Sequence, residues 1–134
     1  MISLADSPLV RDHTSPTQRL RVRTLQLAVE SGAPRRAGDR MQRGAVIHLQ
    51  GEPATRGVAV TAAELRFYSD GDIRAAAPPR FDADTACIHA AFPMSYFDTV
   101  RGLAALRAPL FCEFFEHPEG APQQCRVIVE MEAA

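Results

Sequence analysis

The sequence contains no lysine, no asparagine and no tryptophan, and all 15 of its basic residues are arginine. The absence of lysine excludes enzymes that hold a carbonyl substrate or pyridoxal phosphate as a Schiff base, because the lysine amine is the point of attachment. It also excludes a Walker phosphate-binding loop, whose lysine contacts the terminal phosphates. The absence of asparagine excludes a cysteine-histidine-asparagine catalytic triad.

The charge of the chain is close to balanced, because 15 arginines stand against 16 acidic residues and the formal net charge is −1. Nucleic acids and anionic membranes are bound by a basic excess, so we expect neither as a partner. A net charge near zero does little to oppose self-association, so we expect a homo-oligomer, most simply a dimer. The preference for arginine and alanine over lysine and asparagine is typical of a GC-rich coding sequence, and we expect a bacterial protein.

Targeting signals and disulfide patterns are also lacking. The first 18 residues have no basic start, long apolar stretch or small-residue cleavage site, and no apolar run is long enough for a membrane helix. The three cysteines, Cys87, Cys112 and Cys125, are odd in number and scattered, without a C-x-x-C pair. These features predict a soluble, cytoplasmic protein whose cysteines are small buried hydrophobes.

The chain is predicted to form one β-rich domain behind an N-terminal arm. Residues 1–18 are polar and aperiodic and are predicted to be a flexible arm or a segment that docks on a partner, whereas residues 19–134 are long enough to bury a single core. Apolar residues alternate in 19–29 but change phase near Thr24, which predicts a strand with a β-bulge. Asp70-Gly71 predicts a hairpin turn. Alternation predicts further strands at 44–50, 58–62, 65–68 and 85–92.

One helix is predicted, at about 95–107. Its apolar residues recur at helical spacing: Tyr96, Phe97, Val100, Leu103 and Ala104. Ser95, with Asp98 three residues later, resembles a capping box and is predicted to cap the helix. A crossover through this helix would allow strands 85–92 and 110–117 to be parallel neighbours.

The clearest pattern is a C-terminal β-hairpin, in which residues 110–117 and 124–131 both alternate and flank a turn rich in proline and glycine. One register places three apolar pairs on a single face: Leu110 with Val129, Cys112 with Val127, and Phe114 with Cys125. The same register pairs Glu113 with Arg126 and Phe111 with Ile128 on the other face. An opposite-charge pair across two strands contributes about 0.2–1 kcal/mol, which supports this register.

These elements predict a mainly β (α+β) fold. We expect a curved, mostly antiparallel sheet or an open β-barrel of six to eight strands. The single helix at about 95–107 precedes the C-terminal hairpin and lies across one face of the sheet or at one end of the barrel.

The first functional hypothesis is a non-enzymatic binding or accessory module that self-associates through the mixed face of the C-terminal hairpin. That face is too apolar for free solvent and too polar for a dry core, so the helix, a twofold partner or a ligand is expected to cover part of it. The predicted interface residues are Phe111, Glu113, Phe115, His117, Arg126 and Ile128.

The alternative hypothesis is a small-ligand or enzymatic site in the mouth of the barrel. Its basis is the one local concentration of positive charge, which consists of Arg35, Arg36, Arg40 and Arg43. Arginine forks bind carboxylates and phosphates, so the ligand would be a small anion. His48 is the histidine predicted to join these arginines, and His89 and His117 are further candidates.

Metal and catalytic signatures are weak. Cys87 and His89 share one face of a predicted strand, but a metal site needs three or four ligands, and His117 is the only further candidate for a third. No G-x-S-x-G nucleophile motif is present, and Cys112 is predicted to face an apolar interior that raises its pKa. We therefore predict no catalytic residue, no resident metal and no cofactor.

The spacing R-x-x-x-R at Arg36 and Arg40, and again at Arg19 and Arg23, superficially resembles the first motif of the PilZ family, whose barrels bind cyclic dinucleotides. That family also has an Asp-x-Ser-x-x-Gly element at the start of the next strand. The corresponding stretch here, HLQGEPATRG at 48–57, does not contain it. The sequence therefore does not indicate membership of this family.

Overall fold

The computed structural model describes residues 15–31, 43–74, 76–117 and 123–131. These residues form seven strands: β1 (Gln18–Ser31), β2 (Arg43–Pro53), β3 (Ala62–Tyr68), β4 (Arg80–Asp82), β5 (Cys87–Pro93), β6 (Leu110–Phe115) and β7 (Gln124–Val129). The helices are α1 (Asp70–Ile73), a 3-10 turn (Met94–Tyr96) and α2 (Phe97–Ala104). Most of the predicted N-terminal arm lies outside the described residues. None of the helices described is long and apolar enough to cross a membrane.

The seven strands belong to one sheet with the order β4-β5-β3-β2-β1-β6-β7, which curves into a half-barrel. Every neighbouring pair is antiparallel except β3 and β5, which are parallel. The predicted fold class is confirmed: the protein is mainly β, with a curved, mostly antiparallel sheet and one amphipathic helix before the C-terminal hairpin.

The inner face of the sheet carries the hydrophobic core. Its fully buried side chains include Leu20, Ile47, Leu49, Leu65, Phe67, Ile88 and Cys112. Helix α2 packs on this face: Val100 is buried in the same cluster, and the Phe97 ring meets the Phe67 ring edge to face with centroids 5.2 Å apart. Burial of one large apolar side chain stabilises a fold by about 1.5–3 kcal/mol. In β3 apolar residues alternate with polar ones, so the outer face carries polar side chains there, whereas every residue of β6 is buried.

The predicted bulge in β1 is confirmed, because the register between β1 and β2 shifts between Val22 and Thr24. Gly51 lies opposite the bulge, and a Cβ atom built there would lie 1.8 Å from the carbonyl oxygen of Arg21. No side chain fits at that distance, so glycine is required where the two backbones approach. The bulge shifts the alternation of β1 by one residue, so Leu20 before it and Leu25 after it both pack in the core.

The predicted register of the C-terminal hairpin is also confirmed. Strands β6 and β7 pair Leu110 with Val129, Phe111 with Ile128, Cys112 with Val127, Glu113 with Arg126, and Phe114 with Cys125. The register follows from local information, since both strands alternate and the chain between them is short. It places Cys112 and Phe114 in the core and Glu113 on the outer face.

The predicted strand at 58–62 is wrong, because β3 begins only at Ala62. The backbone N–H groups of Ala59 and Val60 donate instead to the side-chain oxygen of Gln18, at 3.1 and 3.2 Å. Gln18 is the last residue of the predicted arm, yet it begins β1. The side-chain oxygen of Gln18 thus accepts the hydrogen bonds that a neighbouring strand would accept if residues 58–62 formed a strand.

Three further local predictions are wrong. Strand β5 is parallel to β3 and is not a neighbour of β6. Asp70 and Gly71 do not form a hairpin turn but begin the short helix α1, beside which Ser69 Oγ donates to Asp72 Oδ2 at 3.0 Å. Ser95 does not cap a helix: it lies within the 3-10 turn, and α2 follows with Tyr96 at its N-cap and no side-chain cap. The errors at Asp70-Gly71 and at Ser95 each predicted a common local pattern where the chain forms another local structure. The error in strand order concerns a long-range pairing.

We expect Gly51→Ala to lower the free energy of unfolding by about 1–3 kcal/mol, because the new Cβ would force apart the backbones of β1 and β2. Urea denaturation followed by circular dichroism measures the change. Gly102→Ala is the matched control: a Cβ at this exposed position of α2 contacts nothing within 4 Å, and replacing glycine in a helix stabilises it by up to about 1 kcal/mol. Equal stability of Gly51→Ala and the wild type would contradict the backbone contact.

Candidate functional site

Four polar residues form a row across the outer face of four strands. His48 in β2 pairs with Glu64 in β3, Glu64 pairs with His89 in β5, and His89 pairs with Arg80 in β4. Directly paired residues share a face of the sheet. Their chain neighbours, such as Leu65 and Ile88, are buried in the core, so this row must point outward. We call these four residues the outer polar row.

Glu64 is the carboxylate of the outer polar row. Its Oε1 atom accepts a hydrogen bond from Arg66 Nε at 2.6 Å and lies 4.0 Å from His89 Nδ1. Arg66 is two residues along the same strand, so both side chains lie on the outer face. The carboxylate of Glu64 is thus already engaged by a guanidinium of its own strand.

Arg80 stands at the other end of the outer polar row. Its side chain is exposed, and within the described ranges it makes neither a hydrogen bond nor an ion pair. No carboxylate lies within ion-pair distance of its guanidinium among these residues. The nearest acidic influence along the strand is Asp82, whose pKa is lowered by a hydrogen bond from the backbone N–H of Asp84 and, more weakly, by the charge of Arg80. A planar guanidinium in this state can bind a carboxylate or phosphate through two parallel hydrogen bonds.

A cleft of about 270 Å³ lies over this part of the outer face. Its polar wall contains Glu64, Arg66, Tyr68, Arg80 and His89, and its apolar wall is formed by Ala76, Ala77 and Pro78. The apolar wall belongs to the connection between α1 and β4. This volume is slightly below the range for drug-sized ligands, so the cleft suits a small molecule.

Cys87 and Cys112 are poorly suited to act as catalytic nucleophiles. Burial raises the pKa of the Cys87 thiol, and the negative charges of Glu64 and Asp82 raise it further. The contact with Cys125 and complete burial raise the pKa of Cys112 well above its usual range. The thiolate is the reactive form of cysteine, so only a small fraction of either thiol is ionised near neutral pH, and neither is suited to be a catalytic nucleophile.

The weak metal candidates do not come together. Cys87 and His89 are both on β5, but His117 follows β6, and three strands separate β5 from β6 in the sheet. Among the described residues, no group of three histidine, cysteine or acidic side chains is close enough to hold a metal ion. The ring of His117 has its Nε2 atom buried without a hydrogen-bond partner.

The predicted interface face of the C-terminal hairpin is closed by an ion network. Glu113 is only 2% exposed, and its two carboxylate oxygens accept hydrogen bonds from Arg19 Nε at 2.7 Å and Arg126 Nε at 2.5 Å. Arg19 also pairs with Glu130. We call these four residues the hairpin ion network. It joins β1, β6 and the end of β7, since Arg19 and Arg126 are the register partners of Glu113 on either side.

The same two arginines cover the aromatic residues of this face. The guanidinium carbon of Arg19 lies 3.8 Å from the centre of the Phe111 ring, and that of Arg126 lies 5.2 Å from the Phe115 ring. Phe111 and Phe115 are 5% and 6% exposed. Cations over aromatic faces contribute about 0.5–2 kcal/mol each. Phe111 and Phe115 therefore offer little apolar surface in a single copy of the chain, and the interface at this face stays a prediction.

The remaining predicted interface residues, which include Arg126 of the hairpin ion network, are less buried than Phe111, Glu113 and Phe115. Arg126, Ile128 and His117 are half-buried. Helix α2 does not cover the face, because its buried residue Val100 belongs to the inner core. The covering groups among the described residues are thus arginine side chains of the chain itself.

The predicted arginine loop can be located only in part. Arg35, Arg36 and Arg40 lie outside the described residues, and Arg43 is the first residue of β2. The other R-x-x-x-R pair is engaged within the chain, because Arg19 belongs to the hairpin ion network and Arg23 pairs with Glu52.

Sequence reasoning missed most of the residues around the cleft. It named His48 and His89 but did not bring them together, and it missed Glu64, Arg66 and Arg80. The alternation of Glu64 and Arg66 with buried Ala63 and Leu65 was a usable signal for their shared face. Arg80 gave no signal, because its place depends on the pairing of the three-residue strand β4.

We expect Glu113→Gln to lower the free energy of unfolding by about 3 kcal/mol, because it leaves two partly buried guanidinium groups without their shared charge. Urea denaturation at pH 7 measures this loss. Glu116→Gln, at an exposed position of the same hairpin, is the control and should change stability by less than about 0.5 kcal/mol. Similar losses in the two variants would show that the hairpin ion network does not stabilise the sheet.

Comparisons with known proteins found no match. No family model, no curated protein and no solved structure matches the chain. The outer polar row, the cleft beside it and the hairpin ion network are therefore the observations on which a function can be argued.

Proposed function

We propose that this protein is a non-enzymatic binding module that holds a small anionic ligand in the cleft over β3, β5 and β4. The observation that carries the proposal is the exposed guanidinium of Arg80, which lies beside this cleft without a carboxylate partner among the described residues. The ligand would present a carboxylate or a phosphate, the two groups that match an arginine fork.

The charges around the cleft favour an anion. Two arginines, Arg66 and Arg80, line it together with one carboxylate, that of Glu64. The 2.6 Å contact between Arg66 and Glu64 offsets one positive charge with the single negative one. Arg80, whose charge is offset only in part by the exposed carboxylate of Asp82 on the same strand, is left to attract the ligand. The ring of its register partner His89 offers a second polar contact.

The remaining surroundings favour binding over catalysis. Covalent catalysis needs an activated nucleophile, and the raised pKa of Cys87, the cysteine on the same strand as His89, argues against that role. The apolar wall of Ala76, Ala77 and Pro78 offers contact area but no reactive group. A rigid sheet with polar side chains at fixed spacing is well suited to holding a ligand in one orientation. We keep the cytoplasmic setting that the sequence predicts as part of this proposal.

We expect inorganic phosphate or citrate to raise the Tm of the wild-type protein when each is titrated at constant ionic strength. Arg80→Gln should weaken binding of the effective anion by about 10- to 100-fold, because charge-assisted hydrogen bonds contribute about 1.5–3 kcal/mol. Isothermal titration calorimetry measures the affinity.

Arg56→Gln is the matched control for this experiment. It removes the same charge from an exposed turn outside the cleft, and binding should be unchanged. The separate titrations distinguish a phosphate ligand from a carboxylate ligand. An absence of any Tm shift, or equal weakening by the two substitutions, would contradict a site at Arg80.

A second candidate function is self-association as a homodimer, and strand β7 favours it. It is the last strand of the sheet and has no strand on its outer side among the described residues. An edge strand offers unpaired backbone groups to a second copy, and Met131, just beyond β7, is 68% exposed. We expect sedimentation velocity at micromolar concentration to show a dimer, and a single monomeric species would eliminate this candidate.

A further inference from the structure

Two of the three thiols are in contact across the C-terminal hairpin. The Sγ atoms of Cys112 in β6 and Cys125 in β7 lie 3.7 Å apart. The two residues are diagonal neighbours, because Cys125 pairs with Phe114 and Cys112 pairs with Val127. Both cysteines are free, and both side chains lie on the inner face with the core.

We propose that Cys112 and Cys125 form a dithiol site that a small-molecule disulfide, such as oxidised glutathione, converts to an intramolecular disulfide. The proposal is independent of the anion-binding cleft, which lies over β3, β5 and β4 on the outer face. It assigns a chemical role to thiols that the proposed function does not use.

The distance to be closed is short. A disulfide has an S–S bond of about 2.05 Å, so the two sulfur atoms must approach by less than about 2 Å from their present contact. Diagonal neighbours in a sheet have Cα atoms about 7–8 Å apart, slightly more than a relaxed disulfide spans. Bond formation therefore requires a small shift of one strand against the other.

Strand β7 is the element able to make this shift. It is hydrogen-bonded to β6 on one side and is the terminal strand of the sheet, whereas β6 is held between β1 and β7. Most side chains of β7 are half-buried, whereas every residue of β6 is buried. The less constrained strand carries Cys125, so Cys125 can move toward a fixed Cys112.

Exposure sets the order of the two chemical steps. Cys125 is half-buried and Cys112 is fully buried, so the oxidant reaches Cys125 first. The Cys125 thiol loses its proton, its sulfur attacks the small-molecule disulfide, and one thiol of the oxidant leaves. The Cys112 thiol then loses its proton, which is the slow step because its contact with Cys125 and its burial raise its pKa. Its sulfur attacks the Cys125 sulfur of the mixed disulfide, and the second thiol of the oxidant leaves. Two protein thiols are oxidised, and the small disulfide is reduced to two thiols.

Three cysteines allow three disulfide pairs, and the fold brings the sulfur atoms of Cys112 and Cys125 into contact. Cys87 lies on β5, and β3, β2 and β1 separate it from β6 in the sheet. The disulfide would link two strands that are already paired in the folded protein. It would also restrict the conformations of the hairpin segment in the unfolded chain, so the oxidised protein should melt at a higher temperature.

The experiment uses the full chain, incubated with excess oxidised glutathione at pH 8 under native conditions and mapped by mass spectrometry without reduction. We expect a Cys112–Cys125 cross-link within one chain, a Tm several degrees above that of the reduced protein, and reversal by dithiothreitol. Cys87→Ser should form the same cross-link. The chain oxidised in urea should instead give a mixture of pairings, which shows that the native selectivity comes from the fold.

Cys112→Ala removes the thiol that resolves the mixed disulfide, so glutathione should remain attached to Cys125 in this variant. If that variant does not fold, the wild-type map decides alone. Glutathione that stays on Cys125 in the wild type, cross-links that involve Cys87, or cross-links between two chains would each overturn the proposal.

Discussion

The C-terminal hairpin is attached to the rest of the sheet by a short contact. Strand β1 is 14 residues long, but it pairs with β6 only over Gln18–Arg21. At the centre of this contact Arg19 lies opposite Glu113, and Arg126 lies opposite Glu113 on the other side. The buried carboxylate thus bridges three strands at the point where the sheet has few ladder pairs. Such a charge is tolerated only when its partners are complete, so the attachment depends on both arginines.

The outer face carries two polar rows, each built around a glutamate, and their different surroundings give them different roles. Glu113 is enclosed, with an arginine on each side and aromatic rings below the guanidinium groups. Glu64 is half-buried and has one arginine and two histidines around it. The first row is satisfied internally and stabilises the fold. The second leaves Arg80 available beside a cleft, and so it is the row from which a binding function can be argued.

The parallel pairing of β3 and β5 creates this second row. Because β5 lies between β3 and β4, His89 is placed between Glu64 and Arg80. A hairpin turn at Asp70-Gly71 would have made the next strand an antiparallel neighbour of β3. Different residues would then have lain beside Glu64. Instead the chain passes through α1 and reaches β4, which lies on the far side of β5 from β3. The same connection supplies the apolar wall of the cleft.

Local patterns in the sequence by themselves determined the strand-rich character, the bulge in β1, the amphipathic helix and the register that pairs Glu113 with Arg126. These features depend on alternation and on short connections, which are properties of neighbouring residues. The order of the strands was decided only by the tertiary structure, and with it the convergence of His48, Glu64, His89 and Arg80. Strand order depends on which faces pack over a shared core, and residues far apart in the chain make those contacts. The contact between Arg19 and Glu113 that closes the hairpin face was also decided only by the tertiary structure, because 94 positions separate the two residues.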